Sequence, residues 1–341
     1  VRLVTALIDV DLRSDTVTRP TPAMRRAMAE AEVGDDGFGD DPTVNRLQDE
    51  FARLTGKEAA LLLPSGTMAN QVALRVLAPA GSLVIAGRRQ HVVTHEGGAF
   101  GVNQVAQLQT VDDGDGTLDP DEIAHLVEGA GHRWPPPGAV CVENTHLASG
   151  GRPWPLDRLL EVADAGVPIH LDGARLFNAS VAADVRVEDY SAPATLVTAC
   201  LSKGLGAPAG SLLSGPRDLI ARARLERKRL GGGMRQVGIL AAAGLVALDT
   251  MVERLADDHV RARRLAEAVA ERWPDAGCDP AGIETNVVLF RHDDPVKLLQ
   301  WLAEQRVGAV TLGPRLVRLM THADVDDEGV ELAAGALRRA P

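Results

Sequence analysis

Three short segments carry residue types that could do chemistry together. The first, Pro64-Ser65-Gly66-Thr67-Met68-Ala69-Asn70, follows an apolar run and opens a helical stretch. Gly66 and Thr67 therefore offer backbone N–H groups at a positive helix end, where a phosphate can sit. The same residues also suit an ordinary capped turn between strand and helix. The second, Ile169-His170-Leu171-Asp172-Gly173-Ala174-Arg175, ends an apolar run on Asp172, where a strand's carboxyl end faces the crevice of an open α/β sheet. A carboxylate there could keep a pyridine nitrogen protonated, or it could simply cap a helix. Arg175 has the planar fork that suits a substrate carboxylate or a cofactor oxygen, and a surface cation is its plainer reading. The third, Thr198-Ala199-Cys200-Leu201-Ser202-Lys203-Gly204-Leu205-Gly206, sets one lysine after an apolar strand, beside glycines that let a ligand approach. Desolvation would lower its amine toward nucleophilic use, although a loop lysine beside a glycine-rich turn fits equally well.

The elements that must position these groups alternate short apolar runs with amphipathic helical stretches, the pattern of a parallel α/β sheet covered on both faces. Strands are expected over residues 59–63, 83–86, 139–143, 169–172 and 195–201. Thr21-Pro22 and Asp41-Pro42 are helix starts, Gly56 is a helix stop, and 119–122 and 155–157 open two further helices. From about Ile239 a long helical stretch runs to Trp273 with a break near Ala256-Asp257. A strand (286–290), a helix (296–304), strands near Val310 and over 316–320, and a helix (327–338) follow. The division expected is an N-terminal arm over 1–20, a large domain over 21–245, and a small α/β domain over 246–341. The low-complexity piece is Trp134-Pro135-Pro136-Pro137.

The chain has 341 residues, 45% hydrophobic and only 3% aromatic, so Leu, Val and Ala must fill its cores. A formal charge of -11 excludes a broad basic footprint for nucleic acid. The basic run from Arg222 to Arg229 includes Glu226 and reads as a solvated helix face. Cys141, Cys200 and Cys278 lie far apart, without metal-ligand spacing, as in a reducing compartment. The stretch from Val1 to Val10 lacks the long apolar run and cleavage site of a signal peptide, and no segment approaches membrane-spanning length. A cytoplasmic protein without nucleic-acid or membrane partners is expected.

A phosphate turn, a strand-end aspartate and a lysine 31 residues later resemble, in that order, the layout of fold-type I pyridoxal-phosphate enzymes. Further motifs narrow the resemblance. They are Asp11-Leu12-Arg13-Ser14-Asp15-Thr16-Val17-Thr18-Arg19-Pro20, Gly39-Asp40-Asp41-Pro42-Thr43-Val44-Asn45 and Glu143-Asn144-Thr145-His146. Gly231-Gly232-Gly233-Met234-Arg235-Gln236 and Val317-Arg318-Leu319-Met320-Thr321-His322 complete the set. With these the chain, from Asp11 to about Asp324, resembles the low-specificity L-threonine aldolases of the β-eliminating lyase superfamily.

That resemblance implies a fold-type I large domain with a mostly parallel sheet, a small C-terminal domain, and pyridoxal 5′-phosphate as cofactor. It implies Lys203 as the Schiff-base lysine and Asp172 as partner of the ring nitrogen. Ser65, Gly66, Thr67 and Arg235 would hold the phosphate, Arg235 reaching a neighbouring subunit's site. Ser14, Arg175 and Arg318 would bind the substrate carboxylate, with Arg175 also near the cofactor. His91 would stack on the ring, His146 would approach the β-hydroxyl, and one of them, or a water between them, would take its proton. The family forms tetramers built from dimers with sites at the dimer interface. The implied reaction is retro-aldol cleavage of L-threonine or L-allo-threonine to glycine and an aldehyde. Phenylserine cleavage, β-elimination or transamination on the same scaffold, and a catalytically silent homologue, are the alternatives.

Three positions depart from the family pattern: Phe38 where tyrosine is common, His95 where another aromatic stands, and Leu147 in place of asparagine. His91 and His95, at i and i+4 with Glu96 beside them, could suggest a metal site, but sequence places no further ligand, so a polar pocket lining or a partly exposed histidine without metal is expected.

Overall fold

Alternation along the apolar runs builds two faces on one sheet. The computed structural model describes residues 8–131 and 134–341, so the first seven residues of the arm lie outside the description. The strands are β1 (Val10–Asp11), β2 (Ala59–Leu63), β3 (Leu83–Gly87), β4 (Gln107–Val111), β5 (Pro137–Glu143) and β6 (Ile169–Gly173). They continue with β7 (Leu196–Cys200), β8 (Ser211–Gly215), β9 (Val287–Arg291), β10 (Val307–Gly308), β11 (Val310–Gly313) and β12 (Leu316–Met320). The main sheet has the order β2-β8-β7-β6-β5-β3-β4, parallel throughout except for β8, which runs against both neighbours. Leu62, Ile85, Val142, Leu171 and Val197 face a core shared with helices Pro42–Thr55, Leu156–Ala163 and Gly238–Thr250. The intervening residues Leu61, Val84, Cys141 and Leu196 face a second core under helices Gly66–Leu77 and Arg217–Arg229. This is the period of two expected of strands buried on both sides.

The five expected strands form, with ends shifted by a residue or two. Two more escape the apolar pattern. β4 is an edge strand, half-exposed and carrying Gln107 and Gln109, so it lacks the continuous apolar run of a central strand. β8 is a short Ser-Leu-Leu-Ser-Gly run behind a glycine-rich loop. Local helix signals worked better: Thr21 and Asp41 cap their helices through side-chain oxygens, and Gly56 closes the second at φ 63°.

The break in the long C-terminal stretch lies at residues 251–254, not at Ala256-Asp257. Helices Gly238–Thr250 and Leu255–Arg272 flank it. Asp257 and Asp258 sit in the first turn of the second helix, where acidic side chains suit the positive end, so they mark a beginning. The basic run was also only partly a solvated face. Arg227 is 3% exposed and donates to Asp36 at 2.5 Å and to the Leu62 carbonyl at 2.7 Å.

A separate core gathers β9, β12 and helices Leu255–Arg272 and Asp327–Arg338 around Leu265, Phe290, Leu319 and Ala333. The N-terminal arm plugs Val10 and Leu12 into it, pairs β1 with β10, and accepts the Met320 N–H on the Leu12 carbonyl at 2.9 Å. Among the described residues no helix is long and apolar enough to cross a membrane.

Gly173, at the end of β6, shows how tightly the strand ends pack. A Cβ there would lie 2.3 Å from the Thr198 carbonyl oxygen, a backbone atom that cannot swing away. Gly173→Ala is expected to destabilise the protein by about 1–3 kcal/mol, as overpacking does. A thermal melt matching the wild type would contradict this packing.

Candidate active site

The alternation of β6 decides which side its polar residues face. Ile169 and Leu171 enter one core, so His170 and Asp172 turn toward helix Gly66–Leu77. There Asn70 meets them. Its amide donates to Asp172 Oδ2 at 2.7 Å and to Glu96 Oε1 at 2.8 Å, while its carbonyl oxygen accepts from His170 Nε2 at 2.9 Å. The Ala174 N–H donates to the other Asp172 oxygen at 3.1 Å. Burial works to raise the Asp172 carboxyl, but His91, Lys203, His170 and the Asn70 hydrogen bond hold it below its ordinary value. A buried, ionised carboxylate at a strand's carboxyl end results.

At the start of the same helix Ser65 is the cap, its Oγ accepting from the Met68 N–H at 3.2 Å. The Gly66 and Thr67 N–H groups are among those a helix leaves without internal partners. A Cβ at Gly66 would lie 2.7 Å from Cys200 Sγ, so glycine lets this helix end sit against the end of β7. Lys203 follows β7 in a turn closed by the Gly206 N–H on the Lys203 carbonyl at 2.8 Å. Its charge helps lower the carboxyls of Asp172 and Asp15. Helix end, ionised carboxylate and lysine form one donor set, and its chemistry fits pyridoxal phosphate.

Arg175 is placed differently from a free carboxylate clamp. Its Nε and Nη2 each donate at 2.7 Å to the two oxygens of Asp15, and the pair is buried. Burial opposes the Asp15 charge, yet Arg175, Lys203 and Asn286 hold its pKa down to about 2. Asn286 reaches Asp15 at 3.3 Å from the small-domain side. Asp15 thus ties three segments far apart in the chain at one point. Arg318 is less fully engaged. Its Nη2 donates to the Arg13 carbonyl at 2.8 Å, while its Nε is buried without a partner. Burial and the neighbouring Arg175 bring it down to about 10, with Asp15 opposing. A carboxylate would satisfy such a cation. Ser14 caps the short turn Asp15–Val17, its Oγ accepting from the Thr16 N–H at 3.2 Å.

The histidines divide. His91 Nδ1 lies 3.0 Å from Glu96 Oε1. Burial lowers the ring, but the Glu96 hydrogen bond and the charges of Asp172 and Glu96 raise it overall. His146 is fully buried, its Nε2 3.1 Å from Asp113 Oδ2 and its Nδ1 without a partner. Glu143 connects the two loops: its oxygens accept the His91 N–H at 2.6 Å and the Leu147 N–H at 2.9 Å. Burial raises the Glu143 carboxyl, and nearby Asp172 adds to the effect.

His91, Glu96 and Asp172 bring ligand-type atoms within 4.8 Å of one another. Sequence spacing suggested His95 for such a group, whereas the third member is Asp172. Asn70 bridges two of them, Gln71 donates to Glu96 at 2.7 Å, and the hydrogen bonds close within the cluster. Arg235 lies apart, its side chain 75% exposed and 3.4 Å from Asp35, and Phe38 on the neighbouring loop is 81% exposed. Within this single chain neither joins the group around Lys203. Leu147 is buried against Val287 and Met320 instead of offering a polar group.

Asp15, Asn70 and Glu143 stand inside the motifs quoted from the sequence, but no role was assigned to them there, and Asp113 stands outside those motifs. Their signal was a polar side chain in an apolar context; the partners come from distant segments.

The chain matches the family model described as "Beta-eliminating lyase" over residues 11–291. It is 43% identical to the low specificity L-threonine aldolase of Escherichia coli (strain K12), over 95% of this chain and 97% of that protein. It is 40% identical to low-specificity L-threonine aldolase 1 of Arabidopsis thaliana, over 97% of this chain and 96% of that protein. In fold it resembles a solved Leishmania major threonine aldolase with a TM-score of 0.81 at 21% identity, covering 97% of this chain and 99% of that one.

Proposed function

The chain belongs to the beta-eliminating lyases and, within them, to the low-specificity L-threonine aldolases, and from that premise we propose that it is a pyridoxal-phosphate-dependent aldehyde lyase. It cleaves L-threonine and L-allo-threonine between Cα and Cβ, releasing glycine and acetaldehyde. One observation carries this reading: buried Asp172 at the end of β6, held by Asn70 and the Ala174 N–H, with Lys203 in the turn after β7 and a buried, unpartnered Nε on Arg318.

Pyridoxal phosphate, when bound, supplies an electron sink conjugated with the substrate's Cα. Ser65, Gly66 and Thr67 would hold its phosphate at the helix end, Lys203 would be its covalent anchor, and His91 would stack on its ring. Asp172, held ionised, would keep a proton on the ring nitrogen. Arg318, Ser14 and the Asp15-braced Arg175 fix the substrate carboxylate and thereby the torsion that exposes the Cα–Cβ bond. Arg318→Gln is accordingly expected to raise KM for threonine roughly 10- to 100-fold, the equivalent of losing a charged hydrogen bond of about 1.5–3 kcal/mol. Steady-state kinetics check it; an unchanged KM would remove Arg318 from carboxylate recognition.

The assembly proposed is a homotetramer, a dimer of dimers, in the cytoplasm. Exposed Arg235 and Phe38 support a partner surface, and three free, buried cysteines suit a reducing compartment. The deciding experiment supplies cofactor-loaded protein with L-threonine, L-allo-threonine, L-phenylserine and the D-isomers. Equimolar glycine and acetaldehyde from L-threonine and L-allo-threonine, and none from the D-isomers, supports the reading. Ammonia and a 2-oxo acid in their place would overturn it in favour of β-elimination.

A further inference from the structure

Retro-aldol cleavage needs a group that accepts the β-hydroxyl proton, and two of the histidines near Lys203 are poorly disposed to do so. His146 is fully buried with Nε2 on Asp113, and His91 is held by Glu96 and drawn toward its protonated form. His95 differs. It is exposed, stacks on His91 with ring centroids 5.6 Å apart and planes 17° apart, and lies close enough to Arg318 to feel its charge. It therefore lies against the His91 ring and within reach of the charge of the guanidinium assigned to the substrate carboxylate.

Its tautomer follows from the hydrogen-bond network. The two backbone carbonyls that Thr94 Oγ1 meets, Gln90 at 3.0 Å and Arg89 at 3.4 Å, can only accept, so its one hydroxyl hydrogen is assigned to the nearer of them. The 2.6 Å contact between Thr94 Oγ1 and His95 Nδ1 must then be completed by a hydrogen on Nδ1. Nε2 is left with its lone pair free. We propose that His95 Nε2 accepts the β-hydroxyl proton of the substrate. Burial, with the His91 and Arg318 charges facing it, lowers the His95 pKa and keeps the ring neutral near pH 7; Glu96, next in the chain, is turned into the Asn70–Gln71 pair. In the step, the β-hydroxyl hydrogen passes to Nε2 and the O–H pair becomes the second C–O bond of the aldehyde. The Cα–Cβ pair stays with Cα, which takes up a proton to complete glycine, and His95 returns its proton to solvent.

The inference rests on the aldolase reading, and its test separates the two. His95→Gln and His95→Phe are compared with wild type for threonine cleavage and for exchange of the glycine α-hydrogen with deuterated water. Exchange uses the cofactor and Lys203 but has no β-hydroxyl to deprotonate. The expected result is a fall in cleavage of about 10²-fold or more, in the range of general-base loss. Exchange, the cofactor absorption band and the melting midpoint should stay near wild type. The acid limb of the wild-type pH profile, set below the ordinary histidine value, should vanish in both variants. Unchanged cleavage, or cleavage and exchange falling together, overturns the role of His95 while leaving the aldolase reading intact. Wild-type protein that makes no acetaldehyde from threonine overturns both.

Discussion

Lys203→Ala should lower threonine cleavage by roughly 10⁴-fold or more, the scale seen when a covalent catalytic group is removed. The residue stands in the glycine-rich turn after β7, where the Gly206 N–H bonds to its backbone carbonyl, a contact that alanine keeps. Removing its charge, which helps hold the buried Asp15 and Asp172 carboxyls ionised, should lower stability by about 0.5–3 kcal/mol, the range of ordinary single substitutions. Borohydride should fix cofactor to the wild type and leave the variant unlabelled, with peptide mapping placing the label on Lys203. A variant that retained both cleavage and label would show that another amine holds the cofactor.

Asp15→Asn should have the largest effect on stability. It leaves the Arg175 guanidinium buried without its counter-ion, which typically costs about 3–5 kcal/mol. The wild type carries a matching pH signature. The Asp15 carboxyl is held at about 2 against an ordinary 3.8, so its contribution is complete above pH 3.8 and is lost as pH falls toward 2. That shift corresponds to about 2 kcal/mol. Denaturant melts at pH 7 should show the variant weakened, and the difference between the two proteins should shrink between pH 4 and 2. A constant difference across that window would mean that the charge of Asp15 is not the stabilising element. Because Asn286 and Arg175 approach Asp15 from separate parts of the chain, the variant should also bind substrate more weakly, raising KM through a loosened Arg175.

Segments whose chemistry is local were readable from residue order. The turn at Ser65-Gly66-Thr67, the strand end at Asp172 and the glycine-flanked Lys203 each follow from short-range rules for helix ends, strand ends and turns. Their order along the chain pointed to the cofactor, and the caps at Thr21 and Asp41 were equally legible. An edge strand such as β4 was not, because its exposed glutamines erase the pattern that marks a buried one.

What tertiary structure decided was pairing across long separations. Arg175 looked like a free carboxylate clamp until Asp15, 160 residues away, took two of its nitrogens and braced it. Asp113 sits on His146 Nε2, and Thr94 and His91 flank His95, contacts that residue order does not show. The physical reason is common to all three. A side chain's identity sets which protons and charges it can carry, but its protonation and its free valence depend on partners that only folding brings near. The sequence by itself determined the chemical groups of Lys203, Asp172 and the phosphate turn; the packed chain decided which neighbouring groups remain free to meet a substrate.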